Sequence, residues 1–419
     1  MLDKKQKWSN EIIAGIIGYL TTVYIVVVNS TILSDAGIDR EDAMIATILA
    51  STVGCLLMGF WARVPIIVIP GMGVNALFAY SIVQQYDFTY SQGLGVVIVA
   101  GSIFLITAIT PLGEIFKKAI PDALKHGITI GLGLFLVLIG LENGNVIVSG
   151  EYSIIELGDF SSPAVIVSLL SLLVGIILFM KNVPANFLIT MVIGTGIAYV
   201  FGVLDTEPTS ITVDGVSDLF VLPTFDHMWQ ITFWIAVLPL AIVLIFESMG
   251  LLHGQLEMLD QHEKFNKANK STAMSSLLSG FFGTSPTIPA AETAAVITAK
   301  AKTGLTSVVI GILFLATFFI IPYISLVPAS AISPILIIVG VLMMQSIKHI
   351  QVDDLTEAFP TFLIMFMIPF TYSIADGMAF GFIAYPIVKI FANRKSEVTP
   401  LLLFISFLFL LEFIFKAIM

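Results

Sequence analysis

The chain of 419 residues is 57% hydrophobic and only 11% charged, with a formal net charge of −10 at pH 7. Soluble proteins carry about 25% charged residues, so this composition cannot supply the polar surface that a soluble chain of this length needs, and its aromatic and β-branched content excludes disorder. The balance of 19 basic against 29 acidic residues excludes a nucleic-acid binder resting on a basic surface. What remains is an all-α polytopic membrane protein.

The polar start, Met1 to Asn10, leads into an apolar run without a small-residue cleavage site, so no cleavable signal peptide is expected. A helix needs about 20 apolar residues to cross the hydrocarbon core. In chain order the candidate spans are 12–33, 43–62, a broken 66–84, 91–113, 124–141, 162–180, 184–202, 228–251, a broken 272–299, 304–322, 330–347, 357–375 and 377–392. Reading 272–299 as two short passes gives fourteen spans. The apolar tail 400–418 either crosses once more or lies along the interface, and its length does not decide which. Cys55 is the one cysteine, so no intrachain disulfide forms; it reads as a small core residue.

Basic residues set the orientation by the positive-inside rule. Lys4, Lys5 and Lys7 precede the first span; Lys117, Lys118 and Lys125 follow the fourth, and Lys181 the sixth. Lys264, Lys267, Lys270, Lys300, Lys302, Lys348, Lys389, Arg394 and Lys395 continue the alternation, while 142–161 and 203–227 hold acids and no Lys or Arg. Only Arg40 breaks the pattern. The N-terminus is therefore expected in the cytoplasm.

The two broken stretches are the most informative. Pro70-Gly71-Met72-Gly73-Val74-Asn75-Ala76 and Gly283-Thr284-Ser285-Pro286-Thr287-Ile288-Pro289-Ala290-Ala291-Glu292-Thr293-Ala294 place helix breakers at membrane depth. Irregular backbone is tolerated there only inside protein or along a polar cavity, and paired interruptions in corresponding halves point to a transporter's midplane site. They fall in the third and tenth spans, seven apart, as a 7+7 inverted repeat requires. Gly71-x-Gly73-x-x-Ala76 fits a loose dinucleotide fingerprint, but its setting is a membrane span and not a βαβ unit.

Glu247, inside the eighth span, and Glu292, after the second break, are intramembrane acids and hence functional candidates. Burial disfavours the charged form of a carboxyl, which suits a group that binds and releases a proton. The alternative for each is a structural acid neutralised by backbone or a Lys. Glu412, alone in the tail, reads as structural. His126, His227, His253, His262 and His349 sit at segment ends without metal-ligand spacing, and no G-x-x-x-x-G-K-[ST] occurs. Neither a metal nor another cofactor is expected, and secondary transport is the surviving energetic scheme.

The chain resembles the AzgA-like purine permeases, a branch of the nucleobase–cation symporter and nucleobase–ascorbate transporter superfamily. The residues that carry the resemblance run nearly end to end. They are Glu11-Ile12-Ile13-Ala14-Gly15, Tyr24, Asn29, the stretch from Pro70 to Ala76, Gly283-Thr284-Ser285, Glu292, Lys302-Thr303-Gly304-Leu305-Thr306, Val339-Gly340-Val341-Leu342-Met343 and Pro369-Phe370-Thr371-Tyr372-Ser373-Ile374-Ala375. The resemblance implies fourteen spans in two inverted repeats of seven, with a short strand and short helix in spans 3 and 10. It implies a core domain from 1–120 and 228–325, a gate from 121–227 and 326–395, and 396–419 as an added tail. It implies proton-coupled uptake of adenine, guanine or hypoxanthine across a bacterial-type cell membrane. Asn75, Glu247 and Glu292 would contact substrate, with Glu247 or Glu292 also coupling protons. The backbone around Gly73 and Ala291 would bond the flat base, and Tyr24 or Phe78 would stack on it.

Two departures reshape the expected pocket. Where the family commonly has Asp-Thr-x-Gly-Thr, this chain has Glu247-Ser248-Met249-Gly250-Leu251, and where it has Tyr-Ile-Glu-Ser, this chain has Ala290-Ala291-Glu292-Thr293. A carrier of xanthine, uracil or another small anion on the same fold is the nearest alternative. An intramembrane enzyme would need a base beside a nucleophile such as Ser285, and no buried His is available in the sequence; a channel is a third class, distinguished by uncoupled flux. Whether the working form is a monomer or a homodimer stays open.

Overall fold

The computed structural model describes residues 4–150, 153–204 and 221–418. Residues 151–152 and 205–220, parts of the two segments expected on the Lys-poor side, lie outside the described residues, as do the side chains of Lys4, Lys5, Lys7 and Lys117. Among the described residues nine helical stretches are long and apolar enough to cross a membrane, from Trp8–Ser34 to Ile374–Phe391.

The first expected span is two helices, α1 (Lys4–Thr22) and α2 (Ile25–Ser34). Neither Gly nor Pro marks the break. Thr21 and Thr22 both turn their hydroxyls back onto the Gly18 carbonyl, at 2.9 and 2.7 Å, competing with the helix ladder just before Tyr24. Next come α3 (Arg40–Leu57), extended by a π-helical turn at Met58–Ala62, then β1 (Val68–Pro70), α4 (Met72–Ala76) and a π-helical segment Leu77–Gln85. Helix α5 (Tyr90–Ile109) is followed by the short α6 (Leu112–Ala119), so the fourth expected span stops short of 113.

The chain continues through α7 (Asp122–Asn143), a hairpin of β2 (Ile147–Ser149) and β3 (Ile155–Leu157), α8 (Pro163–Met180) and α9 (Asn186–Val200). Helix α10 (Ile231–Leu259) runs eight residues past the expected 251 boundary. The region read as two short passes resolves into α11 (Phe265–Phe281), then β4 (Thr287–Pro289) and α12 (Thr293–Thr298). Helices α13 (Gly304–Ala316), α14 (Ile321–Ile324), α15 (Ala329–Met343), α16 (Leu355–Phe370), α17 (Ile374–Phe391) and α18 (Pro400–Ile418) complete the chain.

Strands β1 and β4 pair antiparallel, with Val68 opposite Pro289 and Pro70 opposite Thr287. The pairing is extended by Ala290 N–H donating to the Ile67 carbonyl at 2.9 Å and Gly71 N–H to the Pro286 carbonyl at 3.3 Å. Prolines are admitted because each strand has a single strand partner. The helices pack in two sets. One gathers α1 to α5 with α10 to α13 around the strand pair; the other gathers α7, α8, α9, α15, α16 and α17.

The Lys-bearing segments are bonded to one another at one face. Lys264 Nζ donates to the Arg63 carbonyl at 3.0 Å, Gln261 Nε2 to the Lys302 carbonyl at 3.0 Å, and the Glu11 carboxylate accepts from Lys302 and Thr303 N–H at 3.0 and 3.1 Å. Arg40, the exception to the charge pattern, lies in an end where its guanidinium caps the Ser325 and Val327 carbonyls at 3.2 and 2.8 Å. The tail takes a definite course. Thr399, just before α18, donates to the Ala119 carbonyl at 3.0 Å, and Lys416 at its far end pairs with Asp376 at the start of α17. Helix α18 therefore runs from one face to the other alongside α17. Glu412 is not alone: it accepts from Tyr86 Oη at 2.6 Å.

Helices α7 and α15 cross at a point where a Cβ on Gly133 would lie 2.6 Å from the Gly340 carbonyl, and one on Gly340 only 2.4 Å from the Gly133 carbonyl. Any side chain at 340 must push the helices apart. Gly340→Ala is expected to destabilise by about 1–3 kcal/mol, read as a lower apparent Tm of the purified protein. Gly254→Ala, where a Cβ meets nothing within 4 Å, should leave Tm unchanged or slightly raised.

Candidate substrate cavity

Between the two helix sets lies a cavity of about 1170 Å³. The first set contributes Tyr24, the break from Ile69 to Gly73, Val243, Phe246, Glu247, Gly250 and Leu251 of α10, and the second break from Ile288 to Glu292. The second set contributes Ile128, Thr129 and Leu132 of α7, Phe187 at the start of α9, and Leu342 and Met343 of α15. Lys125, His126, Asn182, Thr298 and Ser346 also line it, beside the Lys-bearing segments. The cavity therefore opens toward the Lys-rich face.

Two carboxylates reach this space without a salt-bridge partner among the described residues. Glu292 stands at the N-cap position of α12, and its Oε1 accepts from Tyr24 Oη. Tyr24 sits there because the chain breaks between α1 and α2. Its ring meets Phe187 of the second set edge-on, with centroids 5.0 Å apart. Glu247 lies on α10, two turns after Pro239, between Phe246 and the fully buried Ser248. Its Oε2 and the Ser248 hydroxyl have no hydrogen-bond partner, and no ion pair among the described residues involves Glu247 or Glu292. A carboxyl so placed can accept from an N–H group or carry a proton.

The sequence candidates divide. Tyr24, Gly73, Glu247, Ala291 and Glu292 converge on the cavity. Asn75 and Phe78 do not line it. Asn75 is wholly buried within the first set, where its Oδ1 accepts from Ser285 Oγ at 2.5 Å and its Nδ2 has no partner. Phe78 packs edge-on against Tyr90 at 5.3 Å. Ser285 also faces Asn29, whose Nδ2 donates to Thr47 at 2.7 Å and Thr284 at 3.1 Å. This polar cluster lies among the helices of one set.

Residues from the second set, Leu132, Phe187 and Met343, carry no chemical signal that would single them out in sequence. Gln255 does: it follows Glu247 by eight residues on the same helix face. It is 3% exposed and donates to the Ala290 carbonyl at 2.7 Å, holding the break that precedes Glu292. Leu251 and Ala290, the two departures from the family pattern, both line the cavity and make its wall apolar beside each acid.

Single cysteines should report this division. Ala291 is exposed to the cavity and Asn75 is sealed, and Cys55 is itself buried with its Sγ on the Val68 carbonyl. Ala291→Cys is expected to react with a small water-soluble maleimide at least tenfold faster than Asn75→Cys, measured by mass shift on the purified protein.

A family model described as "Permease family" matches residues 9–380. The chain is 42% identical to nucleobase transporter PlAzg2 of Paenibacillus larvae subsp. larvae, over 90% of this chain and 77% of that one. It is 36% identical to guanine/hypoxanthine permease PbuO of Bacillus subtilis, over 98% of both chains, and 32% identical to adenine permease AdeP of Escherichia coli, over 97% of this chain and 92% of that one. Among solved structures, the transmembrane domain of the cyanobacterial bicarbonate transporter BicA superposes with a TM-score of 0.67 at 15% identity, covering 88% of this chain and 96% of that one. The anion transporter Slc26a9 of mouse superposes equally well, at 13% identity over 92% of this chain and 68% of its own. At these identities the superpositions speak to fold alone. Matched over most of its length, the chain belongs to the Permease family and is a multi-pass membrane protein.

Proposed function

We propose that the protein is a secondary transporter, not an enzyme, that takes up purine nucleobases with protons by alternating access. The observation that carries this reading is the meeting of two uncompensated carboxyls, Glu247 and Glu292, on a cavity between two helix sets where two broken segments cross. A purine presents N–H donors and ring-nitrogen acceptors in one plane. Glu247 and Glu292 accept from such donors, and Tyr24 holds Glu292 in place. Apolar Leu132, Phe187, Leu251 and Met343 exclude water from the faces of the ring. The names of the purine-permease relatives support the substrate class.

In this reading the chain crosses the membrane fourteen times as a 7+7 inverted repeat, the breaks belong to spans 3 and 10, and α18 adds a further crossing. The set around the strand pair, 1–120 with 228–325, is the core, and 121–227 with 326–395 is the gate. Substrate rides with the core past the gate. The Lys-rich face is cytoplasmic, so the cavity is open inward. Asn75 serves by joining the two breaks through Ser285 rather than by touching the base, and Phe78 packs against Tyr90 of α5 instead of stacking on it.

Uptake of labelled purine challenged with unlabelled adenine, guanine, hypoxanthine, xanthine, uracil and bicarbonate tests the substrate class; displacement by a purine and not by the others is expected, and displacement by bicarbonate alone would end the purine reading. Topology is tested separately. Cysteines at Ser153 and Asn266, both exposed, should react in opposite senses with an impermeant reagent on intact cells, Ser153→Cys being the one labelled from outside.

The two acids should separate in function. Glu292, held by Tyr24, orients the base; Glu247, with one oxygen unpartnered, carries the proton. Glu247→Gln, which keeps one acceptor oxygen free for the base, is expected to bind purine yet lose uptake driven by a pH gradient. Glu292→Gln leaves a single acceptor oxygen, which Tyr24 takes, so the base loses its partner there at a cost of about 1–3 kcal/mol and binding should weaken roughly five- to hundredfold. Full gradient-driven accumulation by Glu247→Gln would move the proton role to Glu292.

A further inference from the structure

While the cavity opens at the Lys-rich face, the opposite ends of the two helix sets are joined. Tyr80, in the π-helical segment of the first set, meets Phe135 and Tyr372 of the second set edge-on, at 5.6 and 5.8 Å between centroids. Each tyrosine is anchored on its own side of this junction: Tyr80 donates to Asp35 at 2.6 Å and Tyr372 to Glu142 at 2.5 Å. Ile374 N–H donates across to Ser81 Oγ at 2.9 Å, and Gln85 Nε2 to Asp376 Oδ2 at 2.5 Å.

The tail helix is built into this closure. Glu412 is 1% exposed and accepts from Tyr86 Oη at 2.6 Å. Lys416, one turn on, pairs with Glu412 at 3.0 Å and with Asp376, and its Nζ lies 5.1 Å from the centre of the Tyr86 ring. Tyr86, Glu412, Lys416, Asp376 and Gln85 thus form a closed circuit through three elements. Helix α18 is fixed to α17 lower down, where Ser406 donates to the Phe382 carbonyl at 2.5 Å and the rings of Phe409 and Phe382 pack 5.4 Å apart. It is therefore carried by the second set. The tail holds the first set at both ends: Thr399 on the Ala119 carbonyl at the Lys-rich face, and Glu412 on Tyr86 at the face opposite the cavity.

We propose that α18 is a latch: Glu412 and Lys416 bind Tyr86 to Asp376 and hold the face opposite the cavity shut. The proposal rests on the alternating-access reading, in which that face must part for substrate to enter. Parting the two sets there breaks the Gln85–Asp376 bond and the ring contacts, and with the tail in place it must also unmake a buried, charge-assisted hydrogen bond. Interactions made in one state and absent from the other shift the population between them. Loss of the latch should therefore favour the state open on the opposite face.

The test uses the full chain in lipid nanodiscs with a cysteine replacing the fully buried Ser81, directly beneath Ile374. Against that background, Tyr86→Phe and Glu412→Gln are each expected to speed reaction of this cysteine with a water-soluble maleimide about tenfold. The double variant should add little to either single one, because both remove the same bond. Lys416→Arg, which keeps the charge, should stay within about twofold of the parent. Unchanged labelling in Tyr86→Phe, which loses one hydroxyl and no packing, would overturn the proposal, as would full additivity of the pair. Faster labelling in a protein that binds no purine would keep the latch and remove only the substrate reading.

Discussion

Two strands of three residues each, Val68–Pro70 and Thr287–Pro289, pair with one another deep in the molecule, and the remaining architecture follows from that pairing. A backbone that leaves the helix at this depth loses its carbonyl and amide partners, and each unsatisfied group costs about 1–3 kcal/mol. One broken segment alone could not meet that cost. Two broken segments meet it by hydrogen-bonding to each other, which obliges them to cross at one place although they are more than two hundred residues apart in the chain. The strand ends, Gly71 at one and Ala290 at the other, come to lie on the same cavity. At Gly71 a Cβ would meet the Ile288 side chain at 2.4 Å, so any larger residue there must displace that side chain.

Three-residue strands leave carbonyls over, and neighbouring helices supply the donors. Ser307 donates to the Val64 and Ile66 carbonyls at 2.9 Å, Ser276 to that of Thr287 at 2.5 Å, Cys55 Sγ to that of Val68 at 3.4 Å and Gln255 to that of Ala290 at 2.7 Å. Helix α11 buries Ser271, Thr272, Ser275, Ser276 and Ser279, and two of these reach the second strand: Ser276 on the Thr287 carbonyl and Ser275 on the Thr287 hydroxyl at 2.6 Å. The polar interior of the first set serves the irregular backbone. Asn29, Asn75, Thr284 and Ser285 belong to the same arrangement, which is why Asn75 is withdrawn from the cavity wall.

The second set has no such irregularity to support. It is built by close helix contact, tightest where Gly133 and Gly340 face each other, and it offers the cavity an apolar wall. One set thus carries the acids and the exposed ends of broken backbone, and the other faces them mainly with hydrocarbon, its polar groups lying toward the Lys-rich face. On the proposed alternating-access reading, a polar solute bound to the first set would slide against the second without exchanging hydrogen bonds at every step.

The sequence by itself determined that the chain lives in a membrane, where its main apolar runs lie, and that two of them are broken near Gly71 and Pro286. It also marked Glu247 and Glu292, because a carboxyl in an apolar run is rare enough to stand out without any alignment. The family's motifs pointed to the same two places. Other features were illegible because nothing local encodes them. The break at Tyr24 has no Gly or Pro; the Thr21 and Thr22 hydroxyls that favour it look ordinary in a helix. Helix α11 was read as beginning seven residues late because Asn266, Lys267, Asn269 and Lys270 in its first turns lower its hydropathy. Asn75 lies in a motif beside Gly73, yet one residue points into the first set and the other faces the cavity, since a helical turn separates them by about 200°. Only the tertiary structure decided which side chains share the cavity, and that the tail joins the far ends of both sets, because those contacts are set by how distant segments satisfy one another's hydrogen bonds and not by the residues beside them in the chain.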